Sequence, residues 1–274
     1  MPKKKRVKYE KRIVCFLDIL GFKTKINETT GKSYTRQNRV QKIHDVLSVI
    51  NERYVSNVNI GEYNRIQKRN FTQFSDSLVI SFDFESDGEI LNTLIDLLHI
   101  SFTLAWLGFL VRGSVCVGKI FHSKEMVFGP GLVDAYETES KKAIYPRILI
   151  SKEIVEQVQR INPNDYFEPE NANYFSDLVK KDLDGVYYID YIGRPAELEM
   201  DDSFEYIKYL EKIKILAGNN MKTTTPEVSL KYQWLARKYN LRVKELFYFR
   251  DTVASKLDER LISEINSLEL LICD

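Results

Sequence analysis

Apolar residues follow two different spacings along the chain, and each spacing predicts one kind of element. Short runs of β-branched and aromatic residues, bounded by polar or glycine-containing turns, predict strands. These runs occupy approximately residues 12–18, 70–84, 109–121, 125–128, 144–150 and 186–192. Apolar residues at intervals of three and four predict amphipathic helices, at approximately 36–55, 87–107, 129–136, 151–160, 204–213 and 228–236. The segment 70–84 is predicted to be a hairpin that turns at Ser75-Asp76-Ser77.

Up to residue 150 the predicted order of elements is β-α-β-β-α-β-β-α-β. Such an order is typical of an α+β fold in which helices cover one face of a largely antiparallel sheet, as in a ferredoxin-like palm. We therefore divide the chain into a basic N-terminal tail (1–11), a palm (12–192) and a helical extension (193–274). The extension is predicted to pack on the palm or on a second subunit.

Composition excludes some classes of partner. The 274 residues carry 40 basic and 39 acidic side chains, which gives a net charge of +1. A nearly neutral chain has no whole-molecule attraction to nucleic acid or to an anionic membrane, so neither is an expected partner. The longest apolar stretch, 91–111, is interrupted by polar residues, and it is therefore predicted to be a buried helix rather than a membrane span.

The cysteines and the N-terminus indicate a reducing compartment. Cys15, Cys116 and Cys273 show neither paired nor metal-ligand spacing, and the N-terminus lacks the apolar core of a secretory signal. The basic cluster at 3–6 has the composition of a nuclear signal or a phosphate-binding arm, but a solvated tail is the favoured interpretation. We expect a cytoplasmic protein.

One carboxylate, that of Asp18, lies among apolar residues where the first strand ends. Its neighbours in the sequence are Phe16, Leu17, Ile19, Leu20, Gly21 and Phe22. A buried charge without a partner costs much free energy. A cation is therefore the expected partner of Asp18.

Asp76 lies at the tip of a hairpin that would pair beside the first strand. Two carboxylates at adjacent strand ends can hold two divalent ions about 3.5–4 Å apart, the arrangement used for in-line displacement at phosphorus. Oxygen ligands favour Mg²⁺ or Mn²⁺, and the histidines show no spacing for a zinc site. The backbone amides from Ile19 to Phe22 would bind phosphate oxygens. The structural alternatives are a helix cap for Asp18 and a turn residue for Asp76.

Several motifs resemble the class III nucleotidyl cyclases. Phe16-x-Asp18-Ile19-x-Gly21-Phe22 and the Ser75-Asp76 hairpin are similar to the two metal-aspartate motifs of that family. The strand pair and helix that follow in the family are similar to Arg112-Gly113-Ser114-Val115-x-x-Gly118 and Phe128-Gly129-Pro130-Gly131-Leu132-Val133-x-Ala135-Tyr136-x-x-Glu139. The combination most resembles the bacterial pyrimidine cyclases of the Pycsar anti-phage system. The resemblance covers about 12–192.

The resemblance implies that a ribonucleoside triphosphate is converted into a 3′,5′-cyclic monophosphate with release of pyrophosphate. Asp18 and Asp76 would be catalytic and would hold both ions, and the carbonyl of Ile19 would complete the shell of one ion. The nucleotide would be contacted by Phe16, Ile19, Gly21 and Phe22. Class III sites lie between two palms, so the resemblance also implies a head-to-tail homodimer.

Apolar residues stand where purine cyclases read the base. Phe71, five residues before Asp76, replaces a lysine or glutamate, and Met126, three residues before Gly129, replaces the aspartate of adenylyl cyclases. Neither side chain can form a hydrogen bond with the edge of a purine base. A pyrimidine base is smaller, and both side chains would fill the volume that it leaves in the base pocket. A core role fits both residues equally well. Tyr136 would line the base pocket or lie in the core, and the core interpretation is favoured.

Three further positions lack charges that the family uses. Val133 and Glu137 replace the asparagine and arginine that stabilise the transition state, and Asp184 replaces the lysine that binds the triphosphate. Arg112, with Lys119 behind it, is the candidate catalytic replacement because an arginine fork suits phosphate oxygens. The alternative is a strand arginine paired with a carboxylate, which we slightly prefer.

Taken together, the resemblance implies a bacterial uridylate cyclase that makes cyclic UMP from UTP with two Mn²⁺ or Mg²⁺ ions. The product would act on a separate effector protein in anti-phage defence. One alternative is a cytidylate cyclase that makes cyclic CMP from CTP, and another is a catalytically silent palm that binds a nucleotide. Two metal carboxylates favour catalysis, whereas the choice of UTP over CTP follows from the resemblance and from no single residue.

Overall fold

The computed structural model describes residues 7–30, 36–55, 69–84, 87–161, 174–222, 225–253 and 258–272. Within these residues the strands are β1 (Glu10–Leu20), β2 (Arg69–Phe74), β3 (Ser77–Asp83), β4 (Leu110–His122), β5 (Val127–Phe128), β6 (Ile148–Ile150), β7 (Val179–Lys181) and β8 (Tyr187–Ile189). The helices are α1 (Phe22–Asn27), α2 (Arg36–Val55), α3 (Asp87–Trp106), α4 (Pro130–Lys142), α5 (Lys152–Val158), α6 (Tyr174–Leu178), α7 (Arg194–Leu198), α8 (Ser203–Asn220), α9 (Pro226–Val253) and α10 (Glu259–Ser267). The predicted basic cluster at 3–6 and Cys273 lie outside the described residues.

The strands form one sheet in the order β2-β3-β1-β4-β6-β8-β7, and β5 pairs with the end of β4. Among the described strand pairs, β4 and β6 run parallel and the others run antiparallel. The α+β class with a largely antiparallel sheet, predicted from the element order, is confirmed. None of the helices in the described segments combines the length and apolar character needed to cross a bilayer.

The central strand β1 separates two apolar layers because successive side chains of a strand point to opposite faces. Ile13, Cys15, Leu17 and Ile19 belong to the main core, to which α2 and α3 contribute most of their apolar side chains. Val14 on the other face forms a small cluster with Ile120 of β4 and Ala135 of α4.

Helix α4 therefore covers the face opposite α2 and α3, whereas the sequence placed the helices on one face. Its close approach depends on glycine: a Cβ added to Gly118 of β4 would lie 2.4 Å from the Cα of Gly131. Ser114 of β4 donates a hydrogen bond to the carbonyl oxygen of Ala135 at 2.6 Å. This placement brings one side of α4 over the end of β1.

The helical extension packs on the palm of its own chain. On α8, the hydroxyls of Tyr206 and Tyr209 donate to the carbonyl oxygens of Ile192 at 2.5 Å and Tyr191 at 2.9 Å. On α9, the indole N–H of Trp234 donates to the carboxylate of Asp182, which follows β7, at 2.7 Å. Helix α9 consequently lies against the edge of the sheet formed by β7 and β8.

Two strands are shorter than their apolar runs suggested. The run at 144–150 forms a strand only at β6, because Pro146 has no N–H for a ladder. The run at 186–192 ends at Ile189, after which the carboxylate of Asp190 accepts hydrogen bonds from the N–H groups of Ile192 and Gly193 at 3.3 and 3.1 Å. The short elements α6, β7, α7 and α10 were not predicted.

Candidate active site

The first carboxylate of the candidate site belongs to Asp18, near the end of β1. It pairs in register with Ser77 on β3 and with Arg112 on β4. Because Leu17 and Ile19 point into the main core, the side chain of Asp18 points to the face that α4 covers. Its side chain is 21% exposed, so it is largely buried but still accessible to a ligand.

Asp76 lies in the turn between β2 and β3, directly beside the end of β1. Its carbonyl oxygen accepts a hydrogen bond from the N–H of Ile19 at 3.1 Å, which ties the turn to β1. The preceding residue, Ser75, has a φ of 56°, in the left-handed region. The structure therefore brings Asp18 and Asp76 together, although they are far apart in the sequence.

A buried glutamate and an arginine complete the charged cluster. The Nε of Arg112 lies 3.2 Å from Oδ2 of Asp18 and 2.7 Å from Oε1 of Glu139 on α4. The side chain of Glu139 is only 2% exposed, and its Oε2 accepts a hydrogen bond from the hydroxyl of Ser140 at 3.0 Å. Glu139 belongs to the motif that ends at this residue, but no role for its side chain was predicted from the sequence.

The electrostatics of these carboxyls follow from their burial. Burial raises the pKa of Asp18, Arg112 opposes this shift, and the nearby carboxylate of Asp76 raises the pKa further. Burial likewise raises the pKa of Glu139, again against the effect of Arg112. Desolvated carboxylates of this kind favour a bound cation, because a neighbouring positive charge stabilises the anionic form.

Lys231 on α9 is a second cation of the site, and its position there was not predicted from the sequence. It is half-buried and interacts electrostatically with Asp18, Glu139 and Arg112. Burial and the charge of Arg112 lower its pKa. The signal available in the sequence is its spacing of three and four residues from Trp234 and Leu235, which places all three on one side of α9.

Phe16 and Tyr136 lie on the face of the sheet that α4 covers, as Asp18 does, and a glycine turn follows β1. The rings of Phe16 and Tyr136 meet edge to face with centroids 5.3 Å apart. Tyr136 is 53% exposed, so it lines an open side of α4 and does not lie in the core. Gly21 adopts a φ of 72° where α1 begins, and Phe22 is buried in the main core.

The predicted phosphate amides are only partly available. The N–H of Ile19 donates to Asp76, so it cannot also bind a phosphate oxygen. The residues from Gly21 onward form the first turn of α1, where backbone N–H groups have no partners within the helix.

Phe71 and Met126 are not brought together with Asp18. Phe71 pairs with Ile80 of β3 and packs against the main core, on the face of the sheet opposite Asp18. Met126 lies in the turn between β4 and β5, at the other end of β4 from Arg112, and is 55% exposed.

The residues that depart from the family pattern have partners or are exposed. Val133 is exposed, and Glu137 forms an ion pair with Lys141 at 2.6 Å. Asp184 and Asp182 both pair with the guanidinium of Arg147, which is buried. Asp184 therefore compensates a buried charge, which explains an acid at that position. Lys119 is exposed and lies farther along β4 than Arg112.

The donor set of the site suits a hard divalent cation. Among the residues that the structure describes, no three or more His, Cys, Asp and Glu side chains form a group that could hold a metal ion. Mg²⁺ is commonly bound by one or two carboxylates, with the remaining ligands supplied by substrate phosphates and water. Asp18, Asp76 and the carbonyl of Ile19 fit that pattern.

Comparisons with known proteins give similarities of fold only. No protein-family model matches the chain, and no curated protein matches it. One similar structure is a class III adenylyl cyclase-like ATP-binding protein from Pseudomonas aeruginosa, with a TM-score of 0.38 and 8% identity over 54% of this chain. The similarity spans 35% of that protein's length.

A second similar structure is the catalytic core of a rhodopsin-guanylyl cyclase with converted specificity in complex with ATPalphaS. Its TM-score is 0.37 and its identity is 16%, over 67% of this chain and 96% of that one. Identities and TM-scores this low assign neither a family nor an activity to the chain.

Proposed function

We propose that the protein is a nucleotide cyclase that converts a ribonucleoside triphosphate into a 3′,5′-cyclic monophosphate and pyrophosphate. The observation that carries this proposal is the placement of Asp18 and Asp76 at adjacent strand ends, tied together by the hydrogen bond from Ile19 to Asp76. Two carboxylates placed in this way are the protein's part of a two-metal site for phosphoryl chemistry. The motifs around both residues resemble the metal-aspartate motifs of class III cyclases, which supports the same reading.

Asp18, Asp76 and the Ile19 carbonyl would hold two Mn²⁺ or Mg²⁺ ions. When bound, such ions lower the pKa of an attacking hydroxyl and offset charge on the leaving group. The protein's own contribution is to fix the two carboxylates relative to each other and to the ribose and triphosphate.

Positive charge for the triphosphate would come from Arg112 and Lys231. Among the described residues, Arg112 pairs through its Nε with Asp18 and Glu139, and its two terminal NH₂ groups would bind phosphate oxygens. Lys231 approaches the same cluster from α9. Both cations act in a partly desolvated site, where electrostatic stabilisation of a developing charge is strong.

The proposed substrate is a pyrimidine nucleotide, with UTP converted to cyclic UMP and CTP to cyclic CMP as the alternative. The support for a pyrimidine is the resemblance of the motifs, because Phe71 and Met126 both lie away from Asp18 and do not bear on the choice of base. The rings of Phe16 and Tyr136 meet edge to face on the same side of the sheet as Asp18, and Tyr136 is exposed. These two rings are the surface proposed to bind the nucleotide. Because Phe71 packs in the core, we do not propose that it fills a pyrimidine pocket.

We further propose a head-to-tail homodimer with sites at the interface, in a bacterial cytoplasm, whose cyclic product acts on a separate effector in anti-phage defence. The exposed side of α4, with Val133 and Tyr136, is the surface proposed to face the second palm. The pairing of Arg112 with Asp18 and Glu139 also favours a second candidate, a silent palm that binds a nucleotide without turnover.

One experiment tests the proposal and separates these candidates. The protein is incubated with Mn²⁺ and each of the four ribonucleoside triphosphates, and products are separated by chromatography. Cyclic UMP from UTP is the expected result, and cyclic CMP alone would select the alternative substrate. A product from ATP or GTP alone would contradict the pyrimidine assignment. Nucleotide binding without any cyclic product would identify the silent palm.

A further inference from the structure

The position of Arg112 between two carboxylates has a consequence for metal binding. Its single Nε faces Asp18 at 3.2 Å and Glu139 at 2.7 Å. Within the described residues, Oε1 of Glu139 has no hydrogen bond of acceptable geometry, so the ion pair with Arg112 is what compensates this buried oxygen. A buried carboxylate without such compensation is strongly destabilising.

A divalent ion at Asp18 and the guanidinium of Arg112 would compete for the same carboxylate. Two cations on one oxygen repel each other, and the repulsion is larger in a partly desolvated site than in water. Arg112 is itself only 26% exposed, so it cannot simply move into solvent without losing its compensation. Glu139, already 2.7 Å away, is the group that can keep the arginine paired.

We propose that Glu139 is a positioning residue that accepts Arg112 from Asp18 when a divalent ion binds. The arginine would remain in the site on Glu139, with its terminal NH₂ groups directed to the triphosphate. Glu139 thereby lowers the cost of clearing Asp18 for the metal and prevents Arg112 from blocking it. This inference rests on the proposed function, because it requires a metal at Asp18.

If Glu139 positions Arg112 in this way, substitutions of the two residues should have coupled effects on metal affinity. A purely structural residue would not show this coupling. Glu139→Gln removes the second partner, so Arg112 should pair with Asp18 alone and compete more strongly with the metal. Arg112→Met removes the competitor. In the Arg112→Met background, Glu139→Gln should therefore have no further effect on metal affinity.

Mn²⁺ titrations followed by electron paramagnetic resonance, without nucleotide, measure the affinity directly. We expect Glu139→Gln to weaken Mn²⁺ binding roughly tenfold, which corresponds to a coupling of about 1.4 kcal/mol within one charged network. Arg112→Met should bind Mn²⁺ at least as tightly as the wild type. Glu153→Gln is the matched control, because Glu153 forms an exposed ion pair with Lys11 at 3.2 Å. The Mn²⁺ affinity of this variant should equal that of the wild type.

The outcomes separate this inference from the proposed function. An unchanged affinity in Glu139→Gln, or a weaker affinity in Arg112→Met, would overturn the role of Glu139, while cyclase turnover of the wild type would still support the proposed function. Because Arg112→Met leaves the buried Glu139 without its ion pair, the double variant Arg112→Met/Glu139→Gln, which removes both charges, gives the same readout where either single variant does not fold. A wild type that binds no Mn²⁺ would overturn both the inference and the proposed metal site.

Discussion

Asp76 differs from an ordinary turn aspartate because it contacts the end of β1 through its backbone and lies near Asp18. Its carbonyl oxygen fixes the N–H of Ile19, and its carboxylate is near enough to Asp18 to raise the pKa of that residue. The backbone contact supports the fold, whereas the side chain is proposed to hold the metal ions. The two roles can therefore be separated by a substitution that changes the side chain alone.

We expect Asp76→Asn to reduce cyclase turnover roughly a hundredfold or more, because a bound metal ion contributes several kcal/mol to transition-state stabilisation. The thermal unfolding midpoint should change little, since the backbone hydrogen bond to Ile19 is retained. Initial rates with Mn²⁺ and UTP, measured beside a melting curve, give both quantities. A fully active variant would remove Asp76 from the mechanism.

His122 is a buried histidine outside the candidate site, and we expect it to make the stability of the protein depend on pH. Its Nδ1 lies 2.9 Å from the hydroxyl of Ser81, which accepts a hydrogen bond from Nε of Arg12 at 3.1 Å, and its Nε2 lies 3.0 Å from the hydroxyl of Thr72. Burial and then the charge of Arg12 lower its pKa from 6.5 to about 4.

Between these two pKa values the unfolded chain binds more protons than the folded chain, so acidification favours unfolding. We expect His122 alone to cost on the order of 2 kcal/mol of stability between about pH 7 and pH 5. In His122→Gln, the free energy of unfolding measured with urea should lack that part of the pH dependence. An identical dependence in the wild type and the variant would show that other groups cause it.

Single residues of the site were predictable where the signal was local. Asp18 stands out because apolar residues surround it, and Asp76 because it interrupts two β-rich runs. The face of Phe71 was not predictable, because a shift of one residue moves a strand side chain to the other face. The partnership of Glu139 with Arg112 depends on how α4 crosses β4, which local spacing does not record.

At the scale of elements, the crossing of α4 over β4 decides where Glu139 lies. Gly118 and Gly131 allow the two backbones to approach closely, and the nearest atom to an added Cβ at Gly118 is a backbone Cα at 2.4 Å. A backbone neighbour cannot rotate away as a side chain can. A larger residue at this point must displace the helix.

We expect Gly118→Ala to destabilise the protein by about 1–3 kcal/mol, the usual cost of overpacking, and to reduce turnover because Glu139 moves with α4. Gly218→Ala on α8 is the control: its Cβ would meet only a side-chain atom of Leu271 at 3.4 Å, and a helical glycine replaced by alanine should gain about 0.5–1 kcal/mol. Urea unfolding of both variants measures the difference. Equal stabilities would show that α4 adjusts without cost.

Long apolar patterns predicted their elements well, and short ones did not. The spacing over 36–55 and the start at Asp87 agree with α2 and α3, since each helix buries a long apolar side. The strand β7 has three residues, which is too short for a periodic signal. Its position depends on pairing with β8, a contact between chain segments that the sequence order alone does not specify.

At the scale of the whole molecule, the exposed side of α4 is predicted to form a homodimer interface. Val133 and Tyr136 expose apolar surface there, beside the charged cluster. Mass photometry should show particles of twice 32.1 kDa. Val133→Glu should shift them to the monomer and reduce turnover, because the charge would be buried without a partner at the interface.

Leu183→Glu provides the control for this prediction, since Leu183 is an apolar residue that is almost fully exposed in the turn between β7 and β8. It should leave the particle mass unchanged. A monomer for the wild type at working concentration would contradict the dimer, and a dimer that survives Val133→Glu would place the interface elsewhere.

The contacts of the helical extension limit how the palm can be recombined with other proteins. A cut after Ile192 would remove the donors to Tyr191, Ile192 and Asp182 that Tyr206, Tyr209 and Trp234 provide. It would also remove Lys231 from the charged cluster. Residues 12–192 are therefore not an exchangeable module. A chimera that transfers these residues without α8 and α9 should lose solubility. Amino-acid substitutions in the sheet and in the extension are expected to accumulate together during evolution.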